Sequence, residues 1–346
     1  MTTPTKSHAD GGPLYIDNST LRAVAACDTQ AILRYAHDLT SPEEIAVLKS
    51  GTDAHEALRA YFTGSTPDAA LREFTNRYTT WASANVPSDG YLSRLLPTNL
   101  TTILRTWFET HPISALPFTP RRNMVEIPFQ FPLDDNGDII YTGALDLVVK
   151  DAEVDFAPCD HKTTGRISAD WVSTFRNDSQ FSGYMWACSQ HTGEPVTRGY
   201  VNAIEFSQLP TSDRKCTKHN LPFSECSTEH ATSRIILITR TPGQITKWKH
   251  DALKLARRYA RWLTLYGTSL DSILRTTQAG SFFGNCRFCT FSEFCANGMP
   301  TRSLLSMYSK SHWNPLDRRP PSAGGVAVEG SETKKRGPGR PKKVVA

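Results

Sequence analysis

Apolar residues recur at helical spacing through the first third of the chain. This periodicity predicts amphipathic helices, because one face of a 3.6-residue helix must be buried. The second of them begins with Ser41, Pro42 and Glu44, a capping box with proline at the first helical position. The predicted helices run over 18–38, 42–62, 67–84 and 91–109.

The middle of the chain changes to alternating and β-branched segments separated by turn residues such as those at 134–137. Strands are predicted over 124–131, 139–150, 153–162, 198–206 and 234–241. Helices are predicted over 170–190 and 244–266. This order favours an α/β fold with a mixed central sheet flanked by helices.

Composition limits the classes of protein to which the chain can belong. A chain of 346 residues with 39% hydrophobic content can bury a sizeable core. No run of about 18 apolar residues is present, and residues 1–12 lack the features of a signal peptide. We therefore expect a soluble, intracellular, cytoplasmic protein without a membrane partner. Its eight cysteines should then bind metal or be buried, rather than form disulfides.

The net charge of +5 comes from the C-terminal tail. Residues 318–346 hold eight Lys and Arg against two Glu, whereas the rest of the chain has a net charge of −1. Apolar periodicity is lost from about residue 315. We predict a flexible N-terminus (1–13), one domain (14–313) with an insertion at about 207–232, and a disordered basic tail (314–346).

Two acidic strands carry the first candidate chemistry. Asp146 interrupts an apolar strand, where an unpaired carboxylate would be costly to bury. Asp160 and Lys162 lie on one face of the next strand, with His161 on the other. If the strands pair, two carboxylates could bind Mg²⁺ or Mn²⁺ and the ammonium could stabilise charge on a phosphate. The alternative is an ordinary ion pair at a strand end.

Other residues extend this pattern in a fixed order along the chain. Gln180 and Tyr184 are spaced to share one face of a later helix, and His55 lies on a helix before the strands. Each alone is ordinary for a structural residue. Together, the motifs resemble the RecB-like branch of the PD-(D/E)XK nucleases: Gly51-x-x-x-His55, Gly143-x-x-Asp146, Asp160-x-Lys162-Thr163-Thr164 and Gln180-x-x-x-Tyr184.

The resemblance covers about residues 27–295 and implies a restriction-endonuclease-like core. It implies that His55, Asp146 and Asp160 bind Mg²⁺ or Mn²⁺, together with the backbone carbonyl of His161. Lys162 would orient water or stabilise the transition state. The last two motif residues, Gln180 and Tyr184, would support the site and contact the DNA backbone. His161 departs from the aromatic residue that is common there, and its side chain should face away from the metal.

The cysteines form a second candidate site. Cys286, Cys289 and Cys295 have the spacing CxxCxxxxxC, which can wrap three thiolates around one centre. The spacing leaves zinc, an iron–sulfur cluster and plain burial open. The resemblance extends to AddB-type and CRISPR-associated RecB-like nucleases with an iron–sulfur cluster. It implies Cys27 as the fourth ligand of a [4Fe–4S] cluster joining the N-terminal helix to the C-terminal segment.

The predicted insertion contains a third candidate site. Cys216 and His219 are followed by Cys226 and His230, and these CxxH and CxxxH pairs could bind Zn²⁺ tetrahedrally. The alternative is a polar loop in which histidines occur by chance. Cys159 and Cys188 are predicted to be small core residues.

The tail resembles an AT-hook around Gly339, Arg340 and Pro341. Such a segment binds the minor groove of A·T-rich DNA, and flanking charges contact phosphates. The flanking basic residues are Arg336, Lys342 and Lys343. The alternative is a solvated charge run or a localisation signal.

These patterns predict a metal-dependent DNA nuclease, and the resemblance favours an exonuclease or end-processing enzyme. Its substrates would be single-stranded DNA or duplex ends, in recombination, repair, or viral or CRISPR DNA processing with a recombination or CRISPR-adaptation partner. The alternative is a catalytically silent DNA-binding or scaffold protein that retains the fold.

Overall fold

The computed structural model describes residues 12–210, 212, 214–266, 286, 289–297, 306–312 and 314. Its centre is a six-stranded mixed sheet. The sheet strands are β1 (Leu14–Ile16), β3 (Thr119–Pro132), β4 (Ile139–Lys150), β5 (Ala157–Thr164), β6 (Arg198–Glu205) and β7 (Ser233–Thr239). Two further strands, β2 (Leu39–Thr40) and β8 (Ser309–Lys310), pair with each other.

Ten α-helices accompany the strands in the described part of the chain. In chain order they are α1 (Asn18–Ala26), α2 (Asp28–Ala31), α3 (Pro42–Phe62), α4 (Pro67–Asn85), α5 (Pro97–Thr110), α6 (Ala169–Thr174), α7 (Ser179–Thr192), α8 (Phe223–Cys226), α9 (Pro242–Tyr266) and α10 (Ser292–Asn297). A π-helix (Ile32–Ala36) follows α2, and 3₁₀ turns are Tyr91–Leu95, Ile113–Ala115 and Ser227–His230.

Strand β4 organises the sheet. Along one edge it pairs antiparallel with β3. Along the other, its first residues pair in parallel with β1, and Leu147–Val149 pair antiparallel with β5. Strand β5 then pairs in parallel with β6, which pairs antiparallel with β7. The segment of β4 between its contacts with β1 and β5 contains Asp146, so the sheet opens beside this carboxylate.

Two apolar cores cover the faces of the sheet. One core packs α1, α7 and α9 against β1 and β4, and includes Tyr141 and Trp248. The other packs α3, α4 and α5 against β4, β5 and β6, and includes Phe62 and Trp107. Because β4 contributes to both cores, its residues are buried from Tyr141 to Val149. The predicted α/β fold with a mixed sheet and flanking helices is confirmed.

The predicted helix over 18–38 is wrong in its continuity. Asp17 caps the helix, since its carboxylate accepts hydrogen bonds from the backbone N–H and hydroxyl of Thr20 at 2.9 and 2.7 Å. The helix stops at Cys27, whose φ of −165° and ψ of 126° are extended. A short helix and a π-helix then carry the chain to Ala36.

Two other predicted helices are divided. Pro97 begins α5, so residues 91–95 form a separate 3₁₀ turn after Gly90, which has a positive φ of 72°. The segment predicted as one helix over 170–190 becomes α6 and α7. Asp178 caps α7 by accepting a hydrogen bond from the backbone N–H of Gln180 at 2.7 Å. This cap fixes where the residues of α7 stand over the sheet.

None of the described helices combines the length and the apolar character needed to cross a membrane.

Candidate active site at the opening of the sheet

Asp146 and Asp160 lie where β4 and β5 separate. The last paired residues of the two strands are Leu147 and Cys159, and the aspartates come next on each strand. Both are buried, with 9% and 1% of their surfaces exposed. The backbone N–H of His161 donates a hydrogen bond to Oδ2 of Asp146 at 2.9 Å. A carboxylate thus replaces the ladder bond that the diverging strands can no longer make.

Lys162 is held between β5 and α7. Its Nζ lies 2.6 Å from Oδ2 of Asp160, and it donates a hydrogen bond to Oε1 of Gln180 at 2.7 Å. The amide nitrogen of Gln180 donates to Oδ1 of Asp160 at 3.3 Å and to the hydroxyl of Tyr184 at 2.8 Å. The four side chains therefore form one network, which fixes the position of the ammonium.

His55 reaches Asp146 from α3. Its Nδ1 lies 3.4 Å from Oδ2 of Asp146. The helix comes close to the sheet at Gly51, where an added Cβ would lie 3.2 Å from the hydroxyl of Thr163. One helical turn separates Gly51 from His55, so the close approach and the imidazole lie on one face of α3.

Glu126 of β3 completes the group, and sequence reasoning missed it. Ligand atoms of His55, Glu126 and Asp146 all lie within 4.8 Å of one another. Glu126 stands between Val125 and Ile127, which pair with the two neighbours of Asp146. Its φ is 53°, in the left-handed region that a non-glycine residue rarely adopts. Its only sequence signal is an acidic residue within an otherwise apolar strand segment.

Burial and neighbouring charges act on the acidic groups in opposite directions. Burial raises the pKa of Asp160 to about 6, against the lowering effect of Lys162. At Asp146, burial would also raise the pKa, but the charges of His55 and Lys162 and the hydrogen bond from His161 hold it below its ordinary value. The site therefore keeps Asp146 ionised even though it is deeply buried.

The His161 side chain lies on the other face of β5. Its ring stacks on Phe62, with centroids 5.3 Å apart, and its Nδ1 lies 3.0 Å from the amide nitrogen of Asn202. Burial lowers its pKa to about 3, so the ring is neutral at physiological pH. The imidazole thus joins β5 to α3 and β6. Asn202, its partner, was not singled out by the sequence.

Cys27, which the resemblance implies as a ligand, lies close to the three cysteines singled out by their spacing. Cys27 joins α1 to α2, and Cys295 lies on α10. Burial and, to a smaller extent, the nearby thiols of Cys27, Cys289 and Cys286 raise the pKa of Cys295 to about 11. All four cysteines are reduced and half-buried. An apolar cluster beside them includes Leu33, Leu39, Phe291 and Phe294.

The Cys/His set in the insertion between β6 and β7 also comes together. Ligand atoms of Cys216, His219, Cys226 and His230 all lie within 4.8 Å of one another. Cys159 and Cys188 are buried in the two main cores. The AT-hook-like residues 336–343 and both predicted flexible termini lie outside the described residues, apart from Gly12, Pro13 and Asn314.

The family model described as the PD-(D/E)XK nuclease superfamily matches residues 18–296, a span that contains every residue of the network around Lys162. No curated protein sequence matches the chain.

Proposed function

Because the chain belongs to the PD-(D/E)XK nuclease superfamily, we propose that it hydrolyses phosphodiester bonds of DNA with the help of Mg²⁺ or Mn²⁺. One observation carries the proposal: an acidic group with a histidine, of which only Asp146 is buried, lies beside a lysine held in place by Asp160 and Gln180. The family resemblance favours an exonuclease or end-processing enzyme that acts on single strands or duplex ends. Recombination, repair, or viral or CRISPR DNA processing would use such an activity.

The acidic group suits a divalent cation. Carboxylates facing each other across neighbouring strands repel, and burial strengthens the repulsion. Glu126 and Asp146 nevertheless lie with His55 within 4.8 Å. Oxygen donors with one imidazole are ligands that Mn²⁺ accepts, and Mg²⁺ prefers the oxygens. We assign His55, Glu126 and Asp146 as ligands, with Asp160 as a further ligand on the Lys162 side.

A divalent ion bound there would polarise a phosphoryl oxygen and lower the pKa of a water molecule. The chain's own residues then supply position and charge. The Lys162 ammonium is held by an ion pair with Asp160 and a hydrogen bond to Gln180. From this position it would orient the attacking water or stabilise negative charge that develops on the phosphate.

Gln180 and Tyr184 act as positioning residues. The side-chain oxygen of Gln180 accepts a hydrogen bond from Lys162, and its amide nitrogen donates one to Asp160. The two bonds fix the orientation of the amide and hold both partners in place. Tyr184 holds the amide nitrogen and is itself 7% exposed. Its burial favours support of the site over direct contact with DNA.

A nuclease assay tests this function. Labelled single-stranded and duplex DNA are incubated with Mn²⁺ and the full chain, Lys162→Ala or Asp146→Ala. Loss of a preorganised donor to the transition state lowers rates by about 100-fold or more. Lys150→Ala and Asp155→Ala are matched controls, because they break an exposed ion pair outside the site. They should keep full activity, since exposed pairs contribute little to stability.

Equal degradation by the full chain and both site variants would contradict the catalytic assignment. Binding without degradation would instead favour the silent DNA-binding alternative. Covalently closed circular substrates separate the subclasses, since an exonuclease leaves them intact while it degrades the same DNA after linearisation.

We further propose that the basic tail adds affinity for DNA. It concentrates eight Lys and Arg, whereas the rest of the chain has a net charge of −1. Binding that releases counterions weakens as salt rises. The logarithm of the binding constant falls with the logarithm of the salt concentration, with a slope of about 0.9 for each phosphate neutralised. When DNA binding is measured at several salt concentrations, a chain ending at Asp317 should bind more weakly than the full chain and with a flatter salt dependence. An unchanged slope would remove the tail from DNA binding.

Four thiolates near the termini are proposed to hold a [4Fe–4S] cluster. Zinc bound by four thiolates requires sulfur atoms about 3.8 Å apart, from bonds of about 2.3 Å in a tetrahedron. The four cysteines are not among the groups of described residues whose ligand atoms lie within 4.8 Å of one another. The proposal of a cluster is supported by the family resemblance and by the proximity of the four thiols.

A further inference from the structure

We propose that Cys216, His219, Cys226 and His230 form a structural zinc site in the insertion between β6 and β7. The site is separate from the nuclease centre and does not depend on the proposed nuclease activity. The insertion covers residues 207–232.

The distances between ligand atoms match a tetrahedral ion. The sulfur of Cys216 lies 3.7 Å from Nδ1 of His219 and 3.5 Å from Nε2 of His230. The sulfur of Cys226 lies 3.6 Å from the same Nε2. Zinc bonds of about 2.3 Å to sulfur and about 2.0 Å to nitrogen, at tetrahedral angles, give a separation of about 3.6 Å. The side chains therefore already surround the volume of one ion.

The orientation of His219 is a second, independent observation. While its Nδ1 faces the sulfur of Cys216, its Nε2 lies 3.5 Å from a carboxylate oxygen of Glu229. A metal-bound imidazole commonly donates its other N–H to a carboxylate, which fixes the ring and its tautomer. Glu229 is thus the outer partner of the site.

The insertion has little else to hold it together. In its described part, regular structure consists of α8, the following 3₁₀ turn and one isolated bridge between Lys215 and Pro222. Leu221, a large apolar residue of the insertion, is 43% exposed. Among its described residues, Leu209, Cys216 and Cys226 alone are buried, with 3%, 2% and 1% exposure. Metal ligation can supply the stability that so small a core cannot.

Backbone geometry also suits a metal-binding turn. The N–H of Cys216 donates to the carbonyl of Leu221 at 2.7 Å, and the N–H of Asn220 donates to the carbonyl of Cys216 at 2.8 Å. Asn220 has a φ of 59°, which asparagine tolerates better than most residues. This tight turn presents the first Cys/His pair toward the second.

Four protein ligands leave no open position on a tetrahedral ion, which is typical of structural rather than catalytic zinc.

Residues beside the site also line a cavity that the insertion shares with α5. Thr228 and Glu229 line a cavity of about 400 Å³ together with Trp107 and Thr110 of α5. Zinc would therefore fix the insertion against α5 and the edge of the sheet.

The full chain, purified under reducing conditions without chelator, tests the proposal. We expect one equivalent of zinc in this site, and X-ray absorption at the zinc edge should show two sulfur and two nitrogen neighbours. Cys226→Ala and His230→Ala should lose that equivalent. Cys188→Ala and His250→Ala, a cysteine and a histidine outside the set, should retain it.

Hydrogen exchange provides a readout on the unmodified protein. Removing zinc should speed exchange of the amides at 214–230 and leave those of β5 and β6 unchanged. A shell of four sulfurs would place the zinc among the other four cysteines and overturn the assignment. So would reduced protein that takes up no zinc on titration, or a disulfide between Cys216 and Cys226. Lys162→Ala should bind zinc normally, so nuclease failure and zinc failure remain distinguishable.

Discussion

At the scale of single residues, Glu126 combines two unfavourable features. Its backbone has a φ of 53°, and strain of this kind costs about 1–3 kcal/mol. Its carboxylate also lies close to that of Asp146. Both features are explained if Glu126 serves as a metal ligand, since the attraction of a cation to each carboxylate would outweigh their mutual repulsion.

Glu126→Gln should therefore weaken binding of Mn²⁺ by at least about tenfold, as substitutions around metal sites commonly do. Without metal, the same change removes repulsion, so the melting temperature should stay constant or rise. Calorimetric titration with Mn²⁺ and thermal unfolding without metal measure the two effects. Glu109→Gln, at an exposed position on α5, is the control. A variant with normal Mn²⁺ affinity and reduced stability would make Glu126 a structural residue.

At the scale of elements, Gly183 sets the distance between α7 and the sheet. A Cβ at this position would lie 2.4 Å from the hydroxyl of Tyr141 and 2.6 Å from the ring of Trp248. Both rings are buried, and Gln180 lies one turn earlier on the same helix. Any added volume must move α7 or the two rings.

Gly183→Ala should thus lower the free energy of unfolding by about 1–3 kcal/mol, the usual cost of overpacking. It should also slow the nuclease reaction, because a displaced Gln180 no longer orients Lys162. Urea unfolding and the nuclease rate at saturating Mn²⁺ measure these outcomes. Gly243→Ala is the matched control, since its Cβ would meet nothing closer than 3.9 Å. If Gly183→Ala were as stable and as active as that control, close packing at this point would have no role.

The same elements show how far the sequence predicts the fold. The bounds of β4 were predicted correctly at 139–150, because a buried apolar strand between turns has few other interpretations. The break at Cys27 was missed, since apolar periodicity continues through it although its backbone is extended. Pro97 was a signal that should have divided the helix predicted over 91–109.

The candidate site was predictable where residue type and order carry the information. Asp146, Asp160, Lys162 and Gln180 lie in one contiguous region of the fold, as their order in the chain led us to expect. Glu126 could not be found in this way. Its place beside Asp146 depends on the register between β3 and β4 and on an irregularity in β3 between Pro120 and Val125.

At the scale of the whole molecule, the N-terminal helices and the C-terminal segment meet around the four cysteines. Strand β2 pairs with β8, and Phe291 and Phe294 pack against Leu33 and Leu39. These contacts are small. A cluster bound by Cys27 and the three later cysteines would close a loop of more than 250 residues, for which chain entropy predicts about 5.5 kcal/mol.

Cys289→Ala should therefore lose iron and sulfide together with the visible absorbance typical of iron–sulfur centres, and should lower the melting temperature. Limited proteolysis should then release the segment containing α10 and β8 before the sheet is cut, because the described contacts that still retain it are the small apolar cluster, one strand pair and a few polar contacts of Lys310, Ser311 and His312. Cys188→Ala, a change at a buried cysteine of α7 outside the set, should keep both iron and colour. A colourless full chain with zinc bound to four sulfurs would show that this site binds zinc and not an iron–sulfur cluster. A chain in which the four thiols bind neither metal, and in which Cys289→Ala is as stable as Cys188→Ala, would leave the terminal contacts to packing alone.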